Sequence, residues 1–317
     1  MKHAALPLAI ALTLLPAAAH AAKKPADDGP PVRPAHTLLA AGDTASAPLD
    51  LRMGQPIVEV MLNGRGPYRM FLDTGAGTTV LDSTLSAELG LESEGKTRIG
   101  DPADPNAIEA DRVTLDTLRI GTAAFTGVPA VTWDRSMLRP GPDRPVGVVG
   151  LPVFFELLES IDFPAATLRL THGQLAAKER GVVAFESPDG IPLVPIDVAG
   201  KKMKAHLDTG SPGLLSIPEK DSSQVRFAEP LRVIGRGRTV AGEVLFRGAP
   251  LDGAFQIGGA SFDRPLVALN DRLPTANVGS RALRDCVLTL DAAHQRMSIA
   301  RTRESAPPDS TRHGAMH

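Results

Sequence analysis

Apolar and polar residues alternate over short stretches, and turn-forming residues interrupt them before most runs reach helix length. Pro56 to Gly64 is an apolar strand pattern ending in Asn63-Gly64, and a second short strand then runs to Asp73. Pro192 to Gly200 repeats this and leads to Asp208. Both predict β-hairpins. Ser83 to Gly90 has helical spacing, with Gly90 as the stop. Short helical stretches are predicted after Gly150 (Leu-Pro-Val-Phe-Phe-Glu-Leu-Leu) and after Gly279 (Ser-Arg-Ala-Leu-Arg). The pattern predicts a mostly β protein with a few short helices.

These landmarks form an internal repeat. Phe71-Leu72-Asp73-Thr74-Gly75-Ala76 returns as His206-Leu207-Asp208-Thr209-Gly210-Ser211, with the aspartates 135 residues apart. Gly147-Val-Val-Gly150 returns as Ala276-Asn-Val-Gly279, 129 residues on. Asp162, at a turn before the strand Leu168–Leu170, returns as Asp291 before Met297–Ile299, again 129 residues on. One Asp-Thr-Gly means little, because Asp before Gly often only shapes a turn. Two copies with matching flanks predict two related units in one chain.

The ends read differently. Lys2, the apolar run Ala4–Leu15 and Ala19-His20-Ala21 form an export-signal pattern, with cleavage expected after Ala21. The run is too short for a comfortable bilayer span, so no stable membrane anchor is expected. The predicted organisation is a signal peptide at 1–21, a flexible leader at 22–48, lobe 1 at 49–172, a connector at 173–190, lobe 2 at 191–301 and a disordered tail at 302–317. The destination would be the periplasm or the medium.

Composition narrows the chemistry. A formal charge of −2 and 4% aromatic residues, with one Trp and one Tyr, argue against nucleic-acid binding. The 30 Gly and 28 Pro suit many short elements joined by turns. Cys286 is the only cysteine, so no intramolecular disulfide can form, and its apolar strand context predicts a buried, inert thiol. His313 and His317 in the tail have no ligand framework around them, and no metal or cofactor is expected.

The repeated motif, with its later apolar-apolar-Gly, resembles that of the retropepsin-like aspartic proteases, in a version with both units in one chain. The resemblance spans about residues 50–300. It implies two β-barrel lobes related by a pseudo-two-fold axis, with one catalytic aspartate from each, Asp73 and Asp208. It also implies that Thr74 and Thr209 bond across the axis. Gly75 and Gly210 would turn the loops, and Gly150 and Gly279 would let strands pass close behind them. Ala76 and Ser211 would flank the pair, with Ser211 able to bond an outer carboxylate oxygen. Two departures stand out: Asn277 is polar where the family has an apolar residue, and Pro212 closely follows the second motif. Neither expected flap, Ile99–Asp111 or Val233–Val244, contains a Tyr.

The residue types suit the chemistry. Two close carboxyls do not both ionise easily, so one keeps a proton while the other is free to activate a water. His206, two residues before Asp208 on one strand, would share its face and could tune the pair. The expected function is an exported aspartic endopeptidase acting on an extended polypeptide, monomeric because both lobes lie in one chain. The alternative is a weakly active or inactive module of the same fold that binds peptides or a partner protein, a reading favoured by Asn277 and Pro212. A carrier of small ligands rests on compartment alone.

Overall fold

The computed structural model describes residues 33–99, 108–134, 144–188, 190–239 and 242–301. The expected signal peptide and tail lie outside these residues, as do 100–107 and 240–241 of the expected flaps.

The first repeat carries β1 (His36–Leu38), β2 (Thr44–Asp50), β3 (Ile57–Leu62), β4 (Arg65–Asp73), β5 (Thr79–Asp82), α1 (Ser83–Glu88), β6 (Lys96–Ile99), β7 (Ile108–Ile120), β8 (Ala123–Trp133), β9 (Gly147–Gly150), β10 (Leu158–Asp162) and β11 (Thr167–Thr171). After β12 (Val182–Ala184) the second repeat carries β13 (Leu193–Val198), β14 (Lys201–Asp208), β15 (Leu215–Pro218), β16 (Arg232–Thr239), β17 (Gly242–Pro250), β18 (Ala254–Ile257), β19 (Ala260–Asp263), β20 (Leu266–Asn270), β21 (Ala276–Gly279), β22 (Cys286–Asp291) and β23 (Arg296–Arg301). Both expected hairpins are present. β3–β4 turns at Asn63-Gly64 and β13–β14 at Ala199-Gly200, all four residues having positive φ, the requirement of a tight hairpin turn that follows the strand twist. α1 is capped by the Asp82 carboxylate, which accepts from the Thr84 amide, and Gly90 follows it at φ +70°. The stretches after Gly150 and Gly279 are short 3₁₀ turns, Leu151–Phe154 and Ser280–Ala282.

The protein is mostly β, with one closed six-stranded barrel, one curled half-barrel and two lobes. In the first lobe the strands run β3-β4-β9-β5-β8-β7 and return to β3. The second lobe follows the same path, β17-β20-β15-β21-β14-β13-β18. Here the counterpart of β7 is split into β17 and β18 at Leu251–Gly253, where Gly253 has φ +136°. The counterpart of β8 is split into β19 and β20 at Arg264-Pro265, and proline cannot donate to a ladder. The second sheet therefore curls without closing.

A further sheet joins the repeats. Its order is β12-β23-β22-β10-β11-β2, and β2 continues onto β3 of the barrel. β10 pairs with β22, Ile161 opposite Leu288, so strands from both repeats share one ladder. This bears on the expected leader and connector. Of the leader, 22–32 lie outside the described residues, while 33–48 carry β1 and most of β2. β2 buries Ala45, Ala47 and Leu49 on alternate positions, and β1 pairs with β8. That part is therefore structured, not flexible. Burying one face of a strand offsets the entropy of ordering it, even when the apolar residues are small. The connector likewise contains β12, paired with β23.

One apolar core runs through both lobes and includes Leu72, Val149, Leu207, Val278 and Leu288. Phe125 meets Phe154 edge to face, ring centroids 5.7 Å apart. Cys286 is buried, and that burial pushes its thiol pKa up. Asp162 and Asp291 cap the turns after β10 and β22, accepting from the amides of Ala165 and His294. Among the described residues no helix is long and apolar enough to cross a membrane.

Candidate active site

The two Asp-Thr-Gly loops leave the ends of β4 and β14. β4 lies parallel to β9, with Asp73 beside Gly150, and β14 lies parallel to β21, with Asp208 beside Gly279. The strands pass so close behind the loops that a side chain has no room. A Cβ at Gly150 would lie 2.5 Å from the Thr78 carbonyl oxygen, and one at Gly279 2.5 Å from the Ser211 carbonyl oxygen.

The threonines lock the loops to each other. Thr74 Oγ1 donates to the Leu207 carbonyl at 2.7 Å and accepts from the Thr209 amide at 3.1 Å. Thr209 Oγ1 donates to the Leu72 carbonyl at 2.7 Å and accepts from the Thr74 amide at 3.0 Å. The reciprocity is what a pseudo-two-fold axis between the loops requires. Gly75 and Gly210 make close approach possible. A Cβ on Gly75 would fall 2.7 Å from Asp208 Cγ, and one on Gly210 2.4 Å from Asp73 Cγ. Each carboxyl thus occupies the space that a side chain on the other loop would need.

The buried carboxyls of Asp73 and Asp208 hydrogen-bond to each other. Burial, and then the neighbouring Asp208 charge, push Asp73 well above the usual carboxylate range, against the amides of Gly75 and Gly210. Those amides reach Asp73 Oδ1 at 2.8 and 3.2 Å. Burial also raises Asp208, opposed first by a hydrogen bond from Asn277 and then by one from Asp73. The arrangement is a carboxyl pair sharing a proton, able to give a proton to one atom while taking one from another.

The remaining residues divide. Ala76 packs in a small apolar cluster behind Asp73 with Ile57, Phe71 and Val148. Ser211 is buried beside Asp208. The side chain on Asp208 Oδ2, however, is that of Asn277 on β21, whose Nδ2 donates at 2.8 Å. The family resemblance implies that Ser211 can make such a contact, and it marks Asn277 as a departure. His206 is buried on β14, with Asn277 and Leu193 its register partners on the flanking strands. Two contacts had no sequence signal. Gln55, buried just before β3, donates through Nε2 to the Gly210 carbonyl. Ser280 Oγ, just past Gly279, lies 2.5 Å from the Gly54 carbonyl and 2.9 Å from that of Ser211. The bases of the expected flaps are the hairpins β6–β7 and β16–β17. Among the described residues no group of three or more His, Cys, Asp or Glu side chains is disposed to hold a metal ion.

No curated protein matches the chain. The family model described as aspartyl protease matches residues 58–153, which run from β3 through the Asp73 loop to the turn after Gly150. The barrel that carries Asp73 is therefore similar to an aspartyl protease domain of the retropepsin-like kind.

Proposed function

We propose that the protein is an exported aspartic endopeptidase in which Asp73 and Asp208 activate one water between them. The observation that supports this reading is the meeting of two buried carboxyls, one from each repeat, hydrogen-bonded together and backed by the reciprocal threonines. In the first step the ionised carboxyl takes a proton from the water, whose oxygen attacks the scissile carbonyl carbon. The protonated carboxyl gives its proton to the carbonyl oxygen, leaving a gem-diol. In the second step the carboxyl that took the water's proton passes it to the leaving nitrogen as the C–N bond breaks. A diol hydroxyl returns its proton to the other carboxyl, which restores the pair. The substrate would lie extended between the lobes under the β6–β7 and β16–β17 hairpins, with alternate side chains in pockets. Asn277, the departure that favoured a peptide-binding module, holds Asp208 Oδ2 and so fits the catalytic reading.

The test is cleavage of a mixed peptide library by the purified protein across pH 3–8. Asp73→Asn and Asp208→Asn should each lower the rate at least about a hundredfold. Binding without cleavage by the unsubstituted protein would establish the module reading instead.

A further inference from the structure

The surroundings of the two aspartates are matched in geometry and opposite in polarity. In the first lobe Ile57 pairs with Phe71, Phe71 with Val148, and Val80 with Val148. In the second lobe the same register pairs Leu193 with His206, His206 with Asn277, and Ser216 with Asn277. The motif sets Ala76 against Ser211 in the same way. Four apolar residues behind Asp73 (Phe71, Ala76, Val80 and Val148) are thus replaced, position for position, by His206, Ser211, Ser216 and Asn277 behind Asp208. A buried charge needs donors, whereas a neutral carboxyl tolerates an apolar wall. Asn277 Nδ2 supplies such a donor at 2.8 Å, while its Oδ1 is buried without a partner. Leaving that acceptor unpaired carries a desolvation cost, which the charge-assisted bond to Asp208 offsets.

Resting on the endopeptidase reading, we infer that Asn277 is a positioning residue that fixes the proton within the pair. Asp208 is the carboxylate that takes the water's proton, and Asp73 is the acid that protonates the scissile carbonyl. The apolar cluster at the back of Asp73 agrees with this direction. The titratable groups facing Asp208 are Asp73 across the axis and His206 on its own strand. β21 presents Asn277, β15 presents Ser216 and the loop presents Ser211, none of which titrates in the working range.

The experiment follows the aspartate carboxyls of the full chain by carbon-13 NMR. In the Asp73→Asn background Asp208 titrates without its partner, and adding Asn277→Val, which copies Val148, should raise its pKa by about one to two units. In the Asp208→Asn background the same change should leave Asp73 unmoved, while the mirror change Val148→Asn should lower it. His206 stays in place in every arm, so its influence cancels. In the unsubstituted protein the Asp208 signal should ionise first. The inference is overturned if Asn277→Val leaves Asp208 where it was, if it moves Asp73 equally, or if Asp73 ionises first. Because the readout is titration, absence of peptide cleavage would remove the endopeptidase reading and still leave the placement of the proton decided.

Discussion

Thr74 and Thr209 each complete the other's loop: each hydroxyl donates to a carbonyl in the opposite lobe and accepts the other's amide. Replacing either with Val keeps the volume and leaves a buried carbonyl and a buried amide unpaired. Thr74→Val and Thr209→Val should each cost about 1–3 kcal/mol, with the double variant departing from additivity because the two share their partners. Denaturant titration checks this. Unchanged midpoints in both single variants would remove the cross-lobe role.

Gly210→Ala should abolish cleavage with little effect on secondary structure, because the new Cβ would fall on the Asp73 carboxyl. Gly75→Ala should act alike through Asp208. Circular dichroism together with peptide turnover separates loss of the pair's geometry from loss of the fold. A fully active Gly210→Ala protein would mean the loops do not approach as described.

Glu159 on β10 is buried with Oε2 unpartnered, and burial pushes its pKa up to about 8. The native state then holds a proton that the unfolded chain releases at ordinary carboxylate pH, so this group's stability contribution is complete in acid and lost as pH rises. The loss should accumulate at up to about 1.4 kcal/mol per pH unit between roughly pH 4.5 and 8, then level off. Glu159→Gln should flatten that decline and leave the acid side unchanged. Unfolding free energies measured from pH 4 to 9 test it, and parallel curves for the two proteins would contradict it.

Turnover should follow a bell in pH, since one carboxyl must be ionised and the other protonated. Burial and mutual repulsion raise the second ionisation, so the alkaline limb should lie above the usual carboxylate range. The optimum is expected below pH 7, and a chelator should leave the rate unchanged. A maximum above pH 9, or silencing by chelator with rescue by zinc, would overturn the carboxyl-pair chemistry.

Much of this was legible because the repeat encodes it. The paired hairpins, the helix stopped by Gly90 and the two Asp-Thr-Gly loops all follow from periodicity and turn residues. The shared sheet was not legible, since alternation in β10 and β22 says that each strand has one buried face and not which strand lies beside it. β2 was hidden by composition: Ala45 and Ala47 bury a face that an Ala- and Pro-rich stretch does not advertise. Asn277 was visible only as a break in an apolar pattern, and its meaning depended on the neighbouring strand carrying Asp208. Gln55 acts across the lobes, over a distance in sequence at which no local pattern exists.

The ladder that joins β10 to β22 also sets a timetable. While the chain is being made, the first repeat emerges with its Asp-Thr-Gly loop still lacking its partners in the second, and the outer edge of β10 stays open until β22 and β23 arrive. Pairings this distant in sequence form late, because the loop they close must be ordered first. A half-made chain holds Asp73 without the second carboxyl to which it hydrogen-bonds. The shared proton, and the chemistry that depends on it, come into being only once the second repeat has folded against the first.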